Sequence, residues 1–147
     1  MRCCTFFGHR NIHEEIEPTL WSTLIDLIEN KNVDLFYVGN QGDFDCMVRN
    51  NLKLLKLRYP HIRYFVVLAY MPTKRTESYY EDYCDTIYPE GLEVTLPRYA
   101  IDKRNRWMID KSDYVVTYVK YIIGGAAKFK EIAEKKGRIV INIADLD

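Results

Sequence analysis

The chain has 147 residues, of which 48% are hydrophobic, 29% are charged and 14% are aromatic, and its 21 basic residues balance 21 acidic ones. A chain of this size and composition folds as one globular domain without disulfide or metal staples. The zero net charge argues against non-specific binding to nucleic acid, although a local basic patch is compatible with it. With no 18-residue apolar run and no signal-peptide pattern, the sequence predicts a cytoplasmic protein without a membrane partner.

The metal-ligating residue types are few and poorly spaced. Cys3, Cys4, Cys46 and Cys84 form no C-x-x-C pair, so they are predicted to be free thiols in a reducing compartment. His9 and His13 have helical ligand spacing, but they follow Gly8 in a predicted loop and have no evident third partner. The sequence therefore predicts no metal site and no cofactor.

Apolar runs and helical periods alternate through the first part of the chain. The first run ends at Gly8-His9-Arg10 and is apolar on both faces, so it is predicted to be a central strand. A loop with two glycines, Gly39 to Asp45, follows the second strand, and Asp43 is a candidate N-cap. The predicted elements are strand Arg2–Phe7, helix Glu17–Asn30, strand Leu35–Val38, a helix from about Phe44 to Tyr59 and strand Tyr64–Ala69.

Residues 70–97 show no clean period and are rich in tyrosine. A segment of this length and aromatic content is predicted to be a lid over the strand ends, with a short helical turn around Glu81–Asp85. Two alternatives are a structural insertion that covers a sheet edge and an interface that makes a homodimer.

The remaining elements complete an α/β pattern. They are a helix from Pro97 to Lys111, strand Tyr114–Val119, a helix that opens at Gly124 and stops at Gly137, and strand Arg138–Ile143. This order predicts a Rossmann-like, doubly wound, mainly parallel five-stranded sheet in a three-layer α/β/α domain over residues 1–147. A switch point beside the first strand would bring Gly8–Arg10 opposite Gly124–Ala127.

A phosphate-binding site is predicted at this switch point. Small residues at a helix N-terminus leave backbone N–H groups open to an anion, and the helix dipole favours negative charge there. Arg104 stands out because it falls in an otherwise apolar helical row, and the alternative is a stem that reaches solvent. The candidate ligand-binding residues are Gly8, His9, Arg10, Gly39, Gly42, Phe44, Arg104, Asn105, Gly124, Gly125, Ala126 and Ala127.

Three stretches resemble a known group. Thr5-Phe6-Phe7-Gly8-His9-Arg10, the turn from Gly39 to Asp45, and the helix end from Arg104 to Asp113 are similar to signatures of the SLOG superfamily, most closely of its small bacterial T-F-x-G-H-R family. This superfamily includes the DNA-processing protein A and the lonely-guy phosphoribohydrolases. The resemblance spans nearly the whole chain and implies a Rossmann-like domain that binds a nucleotide-derived ligand.

The lonely-guy enzymes carry an arginine-bearing helix and then P-G-G-x-G-T-x-x-E. Arg104, the glycine pair Gly124-Gly125 and Glu131 match that pattern, whereas Ile123, Ala127 and Lys128 replace its proline, glycine and threonine. If the chain were such an enzyme, the resemblance implies that Arg104 and Glu131 are catalytic. The alternative for Glu131 is a solvent-facing carboxylate paired with Lys128 or Lys135.

Three functional hypotheses follow. The leading one is a sensor or accessory domain that binds a nucleotide or nucleotide-derived small molecule at the carboxyl ends of the strands. The second is hydrolysis of the N-glycosidic bond of a nucleoside monophosphate by Arg104 and Glu131. The third is a module that binds single-stranded DNA, against which the zero net charge counts.

Overall fold

The computed structural model describes residues 2–77 and 85–146. Its elements alternate along the chain, and each predicted helix is present within a few residues of its expected bounds. The strands are β1 Arg2–Gly8, β2 Val33–Val38, β3 Arg63–Val67, β4 Thr86–Ile87, β5 Tyr114–Tyr118 and β6 Ile139–Asn142. The helices are α1 Glu17–Asn30, α2 Asp43–Arg58, α3 Pro97–Lys111 and α4 Gly125–Lys135, with short 3-10 turns at Leu92–Val94 and Ile143–Asp145.

The sheet is wholly parallel, with the strand order β4-β3-β2-β1-β5-β6. The chain builds outward from β1 to β4 and then returns to the other side of β1 with β5. The switch point therefore lies between β1 and β5, as the sequence predicts. At this point the helices that follow β1 and β5 leave in opposite directions, which opens a crevice at the carboxyl edge.

In the described ranges, 2–77 and 85–146, the sheet has six strands, so the prediction of five is wrong. The additional strand is β4, whose two residues pair with Val66 and Val67 of β3. Two residues are too few to show the alternation of a strand, so the sequence pattern does not predict β4. The predicted helical turn at Glu81–Asp85 falls mostly at 81–84, outside the described residues.

Two apolar layers sandwich the sheet. Helices α1 and α2 pack on one face through side chains such as Leu24, Leu27, Val48 and Leu52. Helices α3 and α4 pack on the other face through side chains such as Met108, Ile109, Phe129 and Ala133. The strands supply side chains to both layers: in β1, Phe6 points into the first layer and Phe7 into the second. Within 2–77 and 85–146, no helix combines the length and apolarity that a bilayer crossing requires.

Candidate functional site

A cleft of about 240 Å³ opens at the carboxyl edge of the sheet, at the switch point between β1 and β5. Its mouth is formed by the end of β1 and the start of α4. Its inner wall comes from α3 and from the turn between β2 and α2. The lining residues are Phe6, Phe7, Gly8, His9, Arg10, Gln41, Asp45, Ile101, Arg104, Asn105, Met108, Gly125, Ala126 and Phe129. The structure thus brings together the two loops that the sequence predicts to face each other.

Arg10 is an exposed cation at the mouth of this cleft. Its guanidinium makes no ion pair to any residue within the described ranges. Its backbone is fixed: the Asp43 N–H donates to the Arg10 carbonyl at 2.8 Å, and the Ile12 N–H donates to the Asp43 carboxylate at 2.9 Å. The loop is therefore held in place while the Arg10 side chain stays available to an anion.

These bonds correct the role expected for Asp43. The cap position of α2 is Gly42, at φ +93°, and no side chain caps the helix. A β-carbon on Gly42 would lie 2.7 Å from the Arg10 Cα, so the glycine is required by both its backbone conformation and this contact. Asp43 serves instead as a tie between the α2 start and the loop after β1.

His9 is held in a defined protonation state. The Lys120 N–H donates to His9 Nε2 at 2.9 Å, so Nε2 is an acceptor and the ring is neutral. Desolvation lowers the pKa of His9, and the positive charge of Lys120 lowers it further against the opposing effect of Glu14. The imidazole also lies 5.2 Å from the ring of Tyr121, measured between centroids. His9 therefore links the loop after β1 to the loop after β5.

Helix α4 begins without a side-chain cap, and two of its first residues, Gly125 and Ala126, line the cleft. A β-carbon added at Gly124 or Gly125 would meet nothing within 4 Å, so open space lies over the helix start. Gly124 itself adopts φ +121°, a conformation that only glycine takes readily. Gly124 and Ala127 flank the lining segment without lining the cleft. The helix start retains the properties of an anion site.

Arg104 is buried on the inner wall, with 1% of its surface exposed, so the alternative of a stem that reaches solvent is wrong. Its Nη1 donates to the Val67 carbonyl at 2.7 Å and to Asn40 Oδ1 at 3.4 Å, and its Nε donates to Asn105 Oδ1 at 2.8 Å. A buried guanidinium is tolerated only when such acceptors replace water. Arg104 therefore joins α3 to the carboxyl ends of β2 and β3.

Asp45 is the buried carboxylate beside Arg104. Its Oδ2 accepts the Gln41 N–H at 2.9 Å. Burial raises the pKa of this carboxyl, while the Gln41 N–H and the charge of Arg104 act in the opposite direction. A β-carbon on Gly39 would lie 2.8 Å from Asp45 Oδ2 and 3.3 Å from Arg104 Nη1. A side chain at position 39 would therefore crowd both the Asp45 carboxylate and the Arg104 guanidinium, and glycine avoids this.

Phe44 is in the core and does not line the cleft. It is fully buried, and a β-carbon on Gly8 would come within 2.3 Å of its Cγ. Its ring also stacks with Tyr118 at a centroid distance of 6.5 Å. Phe44 thus supports the floor beneath Gly8 from inside the protein.

Glu131 is separated from Arg104. It is on the exposed side of α4, where its carboxylate pairs with the Lys135 ammonium at 2.9 Å, and it does not line the cleft. Lys128 pairs with Asp102 of α3 at 2.5 Å, which ties α3 to α4. The structure therefore does not assemble an arginine and glutamate pair around one ligand position.

The segment that links β5 to α4 is unusually apolar for an exposed loop. Tyr121, Ile122 and Ile123 are exposed by 63%, 95% and 82%, respectively. We call these three residues the apolar rim. The rim directly precedes α4, so an exposed apolar surface adjoins the uncapped, open helix start.

Four residues that line the cleft were not predicted as site residues: Asp45, Gln41, Met108 and Phe129. Asp45 and Gln41 had a signal, since both lie in the glycine turn after β2. Met108 and Phe129 had no such signal, because an apolar residue on the apolar face of a helix is predicted to lie in the core. The apolar rim had a signal as well, in three consecutive large apolar residues beside two glycines.

No protein-family profile matches the sequence, and no curated protein matches it. Solved structures of DNA processing protein A are among those that share its fold. DNA processing protein A from Streptococcus pneumoniae superposes with a TM-score of 0.64 at 17% identity, over 95% of this chain and 49% of that one. A structure of the Helicobacter pylori protein, described by its single-stranded DNA binding mode, gives a TM-score of 0.64 at 14% identity over 95% and 63%. The chain thus spans about half to two thirds of the length of these proteins.

These neighbours correct the leading functional prediction. A free nucleotide or nucleotide-derived small molecule was expected in the cleft, whereas the fold neighbour from Helicobacter pylori is described as binding single-stranded DNA. The narrower resemblance to the T-F-x-G-H-R family is not confirmed by any match. What these structures show is the fold: the chain has the Rossmann-like α/β fold of the DNA processing protein A structures.

Proposed function

We propose that this domain binds single-stranded DNA at the cleft between β1 and β5. The observation that carries the proposal is the junction at the cleft mouth, where a free cation, an open helix N-terminus and an exposed aromatic side chain adjoin. Proteins that hold single strands combine positive charge along the backbone with aromatic surfaces for the bases. The fold shared with a protein described as a single-stranded DNA binder supports the same function.

A backbone phosphate of the strand would lie between Arg10 and the start of α4. The N–H groups of Gly125 and Ala126 supply donors, the α4 dipole favours negative charge, and the space over Gly125 is open. Arg10 adds the formal charge without first breaking an ion pair to a described residue. This pairing of donors and charge overcomes the zero net charge of the chain locally.

A base next to that phosphate would stack on the apolar rim. Tyr121 presents an exposed ring, and its contact with His9 restricts where that ring lies. Stacking on an aromatic side chain is worth about 1–3 kcal/mol per base and tolerates every base. Base stacking on the apolar rim would explain why this loop exposes three consecutive large apolar residues.

The volume of the cleft favours a strand over a free small molecule. Pockets that bury a drug-sized ligand occupy roughly 300–1,000 Å³, whereas this cleft has about 240 Å³ and is open at its mouth. It can hold one part of a nucleotide while the rest remains outside. A polymer that continues beyond the cleft matches this geometry.

The test is a titration of the protein into a fluorescein-labelled thymidine oligonucleotide, followed by fluorescence anisotropy. We expect saturable binding that unlabelled single strands compete away and that thymidine monophosphate and duplex DNA do not. Arg10→Ala should weaken binding. Arg58→Ala is the matched control, because Arg58 is an exposed arginine at the end of α2, on the opposite edge of the sheet. No saturable binding, or equal losses in both variants, would refute the proposal.

A further inference from the structure

The inner wall of the cleft carries polar atoms that have no hydrogen-bond partner among residues 2–77 and 85–146. Asp45 Oδ2 accepts the Gln41 N–H, but Asp45 Oδ1 accepts no bond from a described residue. Arg104 uses Nε and Nη1, and Asn105 uses Oδ1, which leaves Arg104 Nη2 and Asn105 Nδ2 without acceptors in the described ranges. All three side chains are more than nine-tenths buried.

These atoms open onto the cleft and are not sealed in the core. Within the described ranges, the sealed polar side-chain atoms without a partner lie elsewhere, at Asp34, Ser112 and Arg138. Asp45, Arg104 and Asn105 all line the cleft. Side chains with one free acceptor and two free donors, free with respect to the described residues, thus line the same cleft and can bind a ligand with complementary polar atoms.

The rest of the inner lining is apolar. Phe6, Phe7, Ile101, Met108 and Phe129 surround the polar group. Phe7 and Phe129 stack on each other at a centroid distance of 5.4 Å. Apolar walls with a few convergent polar atoms suit a flat, mostly apolar group that has one hydrogen-bonding edge. Among the parts of a DNA strand, a nucleobase has this character, whereas sugar and phosphate do not.

We infer that the cleft receives one base of the bound strand and selects guanine through Asp45, with Arg104 and Asn105 as donors to the same base. The inference rests on the proposed function and adds a sequence preference to it. A carboxylate only accepts hydrogen bonds, so it favours the base that offers two neighbouring donors on one edge. Guanine has that pair in N1–H and the 2-amino group, next to the O6 acceptor that Arg104 Nη2 or Asn105 Nδ2 would meet.

The other bases satisfy this wall less completely. Adenine and cytosine each offer one amino group on the pairing edge, and thymine offers one ring N–H between two carbonyls. Each would leave the Asp45 carboxylate with one fewer donor. A fully bidentate base contact discriminates by about 1–3 kcal/mol, which is roughly 5-fold to 150-fold in affinity. We therefore expect a preference for guanine on the order of 10-fold.

The test compares thymidine oligonucleotides of equal length that differ at one central position. Anisotropy competition with the unmodified protein should show tighter binding when that position is deoxyguanosine than when it is thymidine, deoxyadenosine or deoxycytidine. Deoxyinosine, which lacks the 2-amino group, should lose most of the gain. This arm needs no protein variant, so a folding defect cannot obscure it.

Protein variants assign the preference to Asp45. In Asp45→Asn the ratio of the guanine to the thymine affinity should fall close to one, because an amide replaces one acceptor by a donor. Asp110→Asn is the control, since Asp110 is an exposed residue paired with Lys136 away from the cleft. The ratio should keep its original value in that variant.

Two failures are distinguishable. If no oligonucleotide binds, the proposed function itself is refuted. If thymidine oligonucleotides bind and a central guanine brings no gain, the function stands and the guanine inference is overturned. A guanine preference that deoxyinosine retains, or that survives Asp45→Asn, also overturns it.

Discussion

At the residue scale, Gly8 shows how a cleft loop depends on the core beneath it. The glycine ends β1, and the fully buried Phe44 ring lies where its side chain would be. Any β-carbon there must displace an aromatic ring that packs within a closed layer. Interiors at this density resist added volume. The glycine is therefore a packing requirement, and its apparent role in ligand approach is secondary.

Gly8→Ala should reduce the free energy of unfolding by about 1–3 kcal/mol, because the new methyl overlaps Phe44. Gly125→Ala is the matched control, since its β-carbon meets nothing within 4 Å and should change that free energy by less than about 0.5 kcal/mol. Urea denaturation followed by circular dichroism measures both. Equal stability of the two variants would contradict the packing explanation.

The Asp45 carboxyl gives a pH dependence with a defined sign. Burial raises its pKa in the folded protein above the ordinary 3.8. The folded state thus holds this proton more tightly than the unfolded state, so the stability that the group contributes is present below pH 3.8 and is lost as the pH rises through the folded pKa. The folded protein is therefore less stable when Asp45 is ionised than when it is protonated.

Asp45→Asn removes this titration. The unfolding free energy of the unmodified protein, relative to that of Asp45→Asn, should therefore decrease as the pH rises from about 3.8. Urea denaturation of both proteins at a series of pH values measures the difference. A difference that is constant, or that grows with pH, would contradict the burial of this carboxyl.

Residue patterns revealed Arg104 and hid its partners. One arginine in an apolar helical row is visible in sequence, and it does lie at the site. Two of its acceptors, the carbonyl of Val67 and the side chain of Asn40, are 37 and 64 positions away in the chain. A periodic pattern does not show contacts between residues so far apart in the chain. It could therefore detect an unusual residue but not decide between a buried network and an exposed stem.

At the element scale, the loop between β5 and α4 combines the two features that the proposed function needs. Helix α4 offers an uncapped N-terminus, and the apolar rim precedes it directly. Exposed apolar patches lower solubility, and in native proteins they often mark binding surfaces. The loop is anchored by the Lys120 N–H to His9 bond and by the pair of bonds between Val119 and Asn142. The rim therefore projects from a fixed base.

Tyr121→Ala should weaken binding of a thymidine oligonucleotide by roughly 5-fold to 150-fold, the loss of one stacked base at about 1–3 kcal/mol. Tyr121→Trp should restore most of the affinity because it keeps an aromatic surface. Leu57→Ala removes another exposed apolar side chain, from α2, and should have no effect. If Tyr121→Ala binds as tightly as the unmodified protein, the rim is not a stacking surface.

Elements with a full period were predictable, and the shortest one was not. The helices α1 and α3 have the bounds that their first-turn prolines and apolar rows indicate. The strand β4 has two residues inside an aperiodic segment, so neither length nor alternation could reveal it. The predicted N-cap role of Asp43 was also wrong, because its side chain bonds to the loop after β1 and not to its own helix.

At the scale of the whole molecule, the strand order determines where the site lies. Residues from β1, from the turn after β2, from α3 and from α4 converge because all parallel strands end at one edge. The alternation of the sequence was sufficient to predict this edge and the switch point. It could not predict the ligand, since a fold hosts many ligands and the decisive atoms are single carboxylate and guanidinium groups.

The most direct test of the account is the salt dependence of binding to a thymidine oligonucleotide between about 50 and 200 mM salt. For a single strand, the logarithm of the affinity falls with the logarithm of the salt concentration by about 0.7 per phosphate contacted. We predict a negative slope that Arg10→Ala makes shallower by about 0.7, while Arg58→Ala leaves it unchanged. Binding without salt dependence, or a slope that Arg10→Ala does not alter, would contradict a phosphate site at the mouth of the cleft.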